Sequence, residues 1–109
     1  MKKKNIFVWV KEPHKPAEQK TIPNTLKALQ EAVGGNIESY TFSDDAVILC
    51  DEEGWLKNYP PNVKLMGGVF YGNIVLAGVD GDEFTDFPIG EEWRMRYIFP
   101  MLFEAGEKQ

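Results

Sequence analysis

The chain has 109 residues, 43% apolar and 13% aromatic, which fits one domain with one modest core and excludes disorder as the state of its bulk. Seventeen acidic and 12 basic groups give a net charge of −5, with Lys2-Lys3-Lys4 the one dense basic run, so direct nucleic-acid binding is disfavoured. The single cysteine, Cys50, cannot form an internal disulfide, and nothing in the composition calls for an oxidising compartment.

Residues 5–11 (NIFVWVK) are rich in β-branched and aromatic side chains and predict a buried strand. The apolar stretch Ile6 to Val10 is too short for a signal h-region or a membrane span, so the expectation is a cytoplasmic protein with no membrane contact. Pro13 and Pro16 break the strand, and Ala17 to Ile22 predicts a short polar edge strand.

A helix follows. Asn24 caps it, or Pro23 occupies its first turn, and Leu26, Leu29 and Val33 form one apolar face. Gly34 stands where a left-handed residue closes a helix, and Gly35 lets the chain reverse. Residues 36–42 alternate like a half-exposed strand, and Ser43-Asp44-Asp45 turns into the continuous apolar run Ala46 to Cys50, a central strand. Cys50, among these neighbours, reads as a small buried hydrophobe and not a nucleophile.

Asp51-Glu52-Glu53-Gly54 predicts a tight turn with Gly54 at a positive φ. Residues 55–66 show no period and predict a loop, with Trp55, Leu56 and Tyr59 tucked against the core. Gly67-Gly68 leads to a strand over Asn73 to Val79, and Val69-Phe70-Tyr71 either extends it or pairs elsewhere. A further turn spans Asp80 to Glu83. A helix begins at Glu91-Glu92 and kinks or stops at Pro100, which lacks the N–H for the Arg96 carbonyl.

The expected fold is α+β: a small mixed or antiparallel sheet of about four to five strands, one helix after the second strand and a C-terminal helix. Residues 1–109 form a single domain, with 1–4 and 104–109 as frayed tails.

The run 26–38, LKALQEAVGGNIE, resembles the hallmark LxxLQxxVGGxIE of the family catalogued as domain of unknown function 3846. A second match is Cys50 to Lys57 (CDEEGWLK), with Asn62 in the place of the family's asparagine after the loop. A third is residues 72–79 (GNIVLAGV), followed by Asp-Gly and Glu83-Phe84-Thr85. The likeness covers roughly Ile6 to Phe87; Trp55, where a polar residue is usual, and the aromatic C-terminal segment depart from it. The resemblance implies a setting in phages, conjugative elements and their bacterial hosts. It implies no activity, so it supplies no catalytic residue.

The acidic turn Asp51, Glu52, Glu53 reads as a solvated turn or as a surface for a metal or a basic partner. Asp80, Asp82, Asp86 and Glu91 have the spacing of a calcium loop, but Phe84 and Thr85 fill its fifth and sixth positions and Pro88 lies inside it. His14 has no second histidine or paired cysteine, and neither Gly-Gly pair has a phosphate-loop arrangement. No cofactor, metal or catalytic set is therefore expected. Trp93, Tyr97, Phe99, Met101 and Phe103 form core by default or, with Arg94 and Arg96 as rim, a partner or dimer face.

The expected function is a non-enzymatic accessory protein that binds a host or element-encoded protein, with a host defence component as one target. Asp51, Glu52, Glu53, Trp55, Trp93 and Tyr97 are its contact residues, and Gly34, Gly35 and Gly54 are structural turns. A DNA-mimicking acidic face is a sharper version, and a homodimer stays open. The alternative is a small-molecule or nucleotide binder with Trp55, Tyr59 and Tyr71 around a pocket.

Overall fold

The computed structural model describes residues 4–104. The expected tails at 1–3 and 105–109 lie outside the described residues, whereas the Lys4 carbonyl accepts the Asn24 N–H at 2.9 Å. The elements in chain order are β1 (Asn5–Lys11), β2 (Glu18–Pro23), α1 (Leu26–Val33), β3 (Ile37–Ser43), β4 (Ala46–Asp51), β5 (Pro61–Leu65), β6 (Gly68–Tyr71), β7 (Ile74–Asp80), β8 (Glu83–Thr85) and α2 (Ile89–Ile98). A 3-10 turn over Pro100–Leu102 follows α2, so the chain stops its helix ahead of the proline.

The α+β expectation holds, and every strand pairing is antiparallel. The main sheet runs β2-β1-β7-β4-β3, with the short β8 on β7 as its sixth strand. β5 and β6 form a separate hairpin, so Val69-Phe70-Tyr71 pairs away from β7 and residues 61–65 of the expected loop at 55–66 are strand.

Alternation along the central strands sorts the side chains onto two faces. Ile6, Val8 and Val10 of β1, Val47 and Leu49 of β4 and Val75 and Ala77 of β7 pack with Leu29 and Val33 of α1. Trp9, Ala46, Ile48, Cys50, Ile74 and Leu76 point the other way, onto β5, β6, α2 and the 3-10 turn through Val63, Leu65, Phe70, Met95 and Leu102. The result is three layers: α1, the sheet, and a mixed layer of hairpin plus α2. Edge-to-face rings bind the mixed layer to the sheet, with Tyr40–Phe70 and Trp9–Phe103 centroids each 5.1 Å apart.

Helix α1 departs from its expected start. Thr25 is the cap, its Oγ1 accepting the Ala28 N–H at 3.0 Å, while Pro23 ends β2 and Asn24 turns inward to donate to the Phe84 carbonyl. Thr25 has the extended backbone a cap requires, and Asn24 is held by β8. Of the expected apolar face, Leu29 and Val33 are buried and Leu26 is exposed, because it lies in the first turn beyond the edge of the sheet contact. Gly34 closes the helix at φ 98°, its N–H returning to the Gln30 carbonyl at 2.7 Å.

Candidate functional site

The segments carrying the family motifs, distant in sequence, meet at one end of the sheet. Gly34 ends α1, Asp51 ends β4, and the turn that follows carries Lys57 and Tyr59 back over α1. Lys57 Nζ donates to Asp51 Oδ2 at 2.7 Å and to the Gly34 carbonyl at 3.2 Å, and Tyr59 Oη donates to the same carbonyl at 3.2 Å. The cation and hydroxyl thus satisfy a carbonyl at the negative end of the helix. Gly35 sits against the ion pair: a Cβ there would lie 2.5 Å from Lys57 Nζ and 2.6 Å from Asp51 Oδ2.

Gly54 needs a correction. It does not take the expected positive φ. Glycine is required because a Cβ would lie 2.8 Å from the Tyr71 carbonyl of β6, so the turn can press against the hairpin. Asn62 pins the hairpin to the sheet, donating through Nδ2 to the Lys11 and Gly72 carbonyls at 2.8 and 2.7 Å and accepting Lys11 Nζ at 2.8 Å. Lys11 is only 2% exposed, and burial pushes its ammonium below the usual lysine range.

Burial pushes Asp51 upward, but the Lys57 hydrogen bond, the Glu53 N–H at 2.9 Å and the Lys57 charge outweigh it, holding the carboxyl below the usual range. The Asp51 hydrogen bond in turn raises Lys57. This is a clasp of paired charges between the end of β4 and the end of α1.

Above it lies a cavity of about 170 Å³ between the sheet and the hairpin. Glu38 and Tyr40 of β3, Cys50 of β4, Trp55, and Phe70 and Tyr71 of β6 line it, with Asp51 and Glu52 also in its wall. Burial and then the Glu38 charge push the Cys50 thiol up to about 11, in keeping with a buried hydrophobe and not a nucleophile. Burial, the Glu38 hydrogen bond and the Glu38 charge raise Tyr40 likewise.

The structure brings Asp51, Glu52 and Trp55 together at this cavity. Trp55 is 65% exposed and Leu56 is exposed beside it, so neither is tucked into the core as expected; the turn that presses Gly54 onto Tyr71 projects both outward. Tyr59 is half-buried, but lies over Gly34 and Gly72 and not in this cavity. Glu38, Tyr40 and Phe70 were not singled out from sequence. Glu38 was within reach, as the last residue of VGGxIE and on the same strand face as Tyr40.

Trp93 and Tyr97 lie elsewhere, on α2. They are 66% and 83% exposed, and Ile89 precedes them at the same four-residue spacing, so the three form an outer stripe. Met95 and Glu91 face inward instead. Glu91 accepts from Ser43 Oγ at 2.9 Å and pairs with Arg94 at 2.8 Å, while Phe99 and Phe103 are half-buried against the sheet. The aromatic set therefore divides between core and surface. Arg94 and Arg96 lie over the rings of Phe42 and Phe103 at 5.5 and 4.3 Å, bracing the helix.

Among the described residues, no group of three or more His, Cys, Asp or Glu side chains is placed to hold a metal ion, and Asp80, Asp82, Asp86 and Glu91 do not converge. No helix among them is long and apolar enough to cross a membrane. No curated protein and no solved structure matches the chain. Residues 4–97 match the model of the domain of unknown function DUF3846, and the chain belongs to that family.

Proposed function

We propose that this protein is a non-enzymatic binding module, an accessory of a phage or conjugative element that docks on a host or element-encoded protein. The observation that carries the reading is the outward stripe Ile89, Trp93 and Tyr97 on a helix anchored from its inner face by Met95 and Glu91. Large apolar side chains left in line on a rigid helix favour burial against a partner, at roughly 25 cal/mol per Å² removed from water. Arg94 and Arg96, beside the stripe, supply the polar rim usual at such faces. The mobile-element setting rests on the family's known distribution, and a defence component is the target such a setting favours.

The nucleotide-binding reading is supported less well. A cavity does stand beside Trp55, but its 170 Å³ is below the ~300–1,000 Å³ of pockets that enclose drug-sized ligands.

Affinity capture from a host lysate tests the proposal, comparing the native chain with Trp93→Ala/Tyr97→Ala. The native chain is expected to retain one protein stoichiometrically at low and moderate salt, and the variant to lose it while keeping its melting temperature. A partner retained equally by both would count against the α2 stripe. Light scattering provides the other arm: a monomer is expected, and a dimer abolished by the same substitutions would make the stripe a self-association face.

A further inference from the structure

The cavity under the hairpin differs in chemistry from the α2 stripe. Four rings surround it, Tyr40, Trp55, Phe70 and Tyr71, and the acidic residues Glu38, Asp51 and Glu52 share its wall. None of the described residues lining it is basic. Aromatic faces carry negative potential, so rings and carboxylates act in the same direction, towards a cation. Asp51 already has Lys57, but no ion pair among the described residues engages Glu38 or Glu52. After burial, the Glu38 hydrogen bond and charge make the Tyr40 hydroxyl hold its proton, and the Glu38 and Asp51 charges do the same for the Cys50 thiol.

Size narrows the occupant. A space of 170 Å³ suits one long side chain and is too small for a nucleotide. Trp55, one of the lining residues, is itself exposed. A planar guanidinium stacks on an indole and is more weakly hydrated than an ammonium, so it loses less on entry.

We propose that this cavity receives an arginine side chain of a partner protein, its guanidinium against Trp55 and the Glu38 and Glu52 carboxylates and its stem against Tyr40 and Phe70. This rests on the reading of the chain as a protein-binding module and adds a second, charge-selective contact to it. The partner chemistry that fits is a basic loop or tail.

Two-dimensional NMR of the isotopically labelled full chain tests this with defined probes. Blocked glycine–arginine–glycine is expected to move the Trp55 indole signal and the Glu38, Cys50 and Phe70 amides. Blocked glycine–glutamine–glycine, of similar shape and no charge, is expected to bind at least about tenfold more weakly. Glu38→Gln/Glu52→Gln is expected to weaken the arginine probe by a similar factor, and Glu52→Gln alone, at an exposed residue and with the Glu38–Tyr40 hydrogen bond intact, to a smaller extent with the melting temperature unchanged. Methylguanidinium is expected to bind more weakly than the peptide, since it lacks the stem. The proposal is overturned if the glutamine probe binds as well, if the double variant binds the arginine probe like the native chain, if no resonance moves, or if methylguanidinium binds as tightly as the peptide. The Trp93→Ala/Tyr97→Ala variant is expected to titrate like the native chain, so this test can fail independently of the α2 stripe.

Discussion

Asp51 ties three segments together: its carboxylate takes the Lys57 ammonium and the Glu53 N–H, and Gly35 packs over the pair. Because the folded chain holds this carboxyl below its usual value, the unfolded chain binds more protons in the acid range. The stability it contributes is present above the ordinary aspartate value of about 3.9 and is lost as pH falls through the lower folded value. Denaturant unfolding followed from pH 7 to pH 2 should therefore show Asp51→Asn less stable than the native chain at neutral pH and closer to it at the acid end. A constant difference across the range would contradict that. Gly35→Ala should cost roughly 1–3 kcal/mol at neutral pH by displacing the ion pair, and much less in an Asp51→Asn/Lys57→Met background, a non-additivity that a double-mutant cycle measures. The identity of these residues was legible in the VGG and DEEGxLK motifs. Their convergence was not, because Lys57 meets Gly34 across 23 residues and only the antiparallel β3–β4 pairing puts them side by side.

At the scale of elements, the strands were the most legible part. β1, β4 and β7 alternate side chains into two cores or run apolar throughout, and their chain segments declare it. The β5–β6 hairpin was hidden because its turn is unusual. Met66 (φ 51°) and Gly67 (φ 81°) both take positive φ, the pattern for which Asn-Gly is the common signal. A methionine in the left-handed region costs about 1 kcal/mol. Met66→Asn should recover roughly that much in denaturant unfolding, and no gain would show the turn unstrained. Met66 also lines the cavity, so the strained residue stands at the proposed contact. Helix α2 was legible in position but not in orientation. Trp93 and Tyr97 share a four-residue period with Ile89, yet a period alone does not say whether a stripe faces the core. Met95, Glu91 and the Ser43 contact decide it, and they put the stripe outside.

The mixed layer carries two features of different character, an apolar helix stripe and an acidic, ring-lined cavity, and both are proposed contact surfaces. The stripe lies on α2 and the cavity between the hairpin and β3–β4, both on the sheet face opposite α1. The clasp at Asp51 and the Asn62 bridge hold the hairpin and its turn against that sheet, while Trp55, Trp93 and Tyr97 stay exposed. Hydrogen–deuterium exchange on the captured complex reads that division most directly. Binding of the partner should slow exchange in residues 89–101 and in the segment around Trp55, and leave the exposed edge strand β2 as it is in the free chain. A partner that protects β2 or α1 while leaving 89–101 unchanged would contradict the assignment of these surfaces.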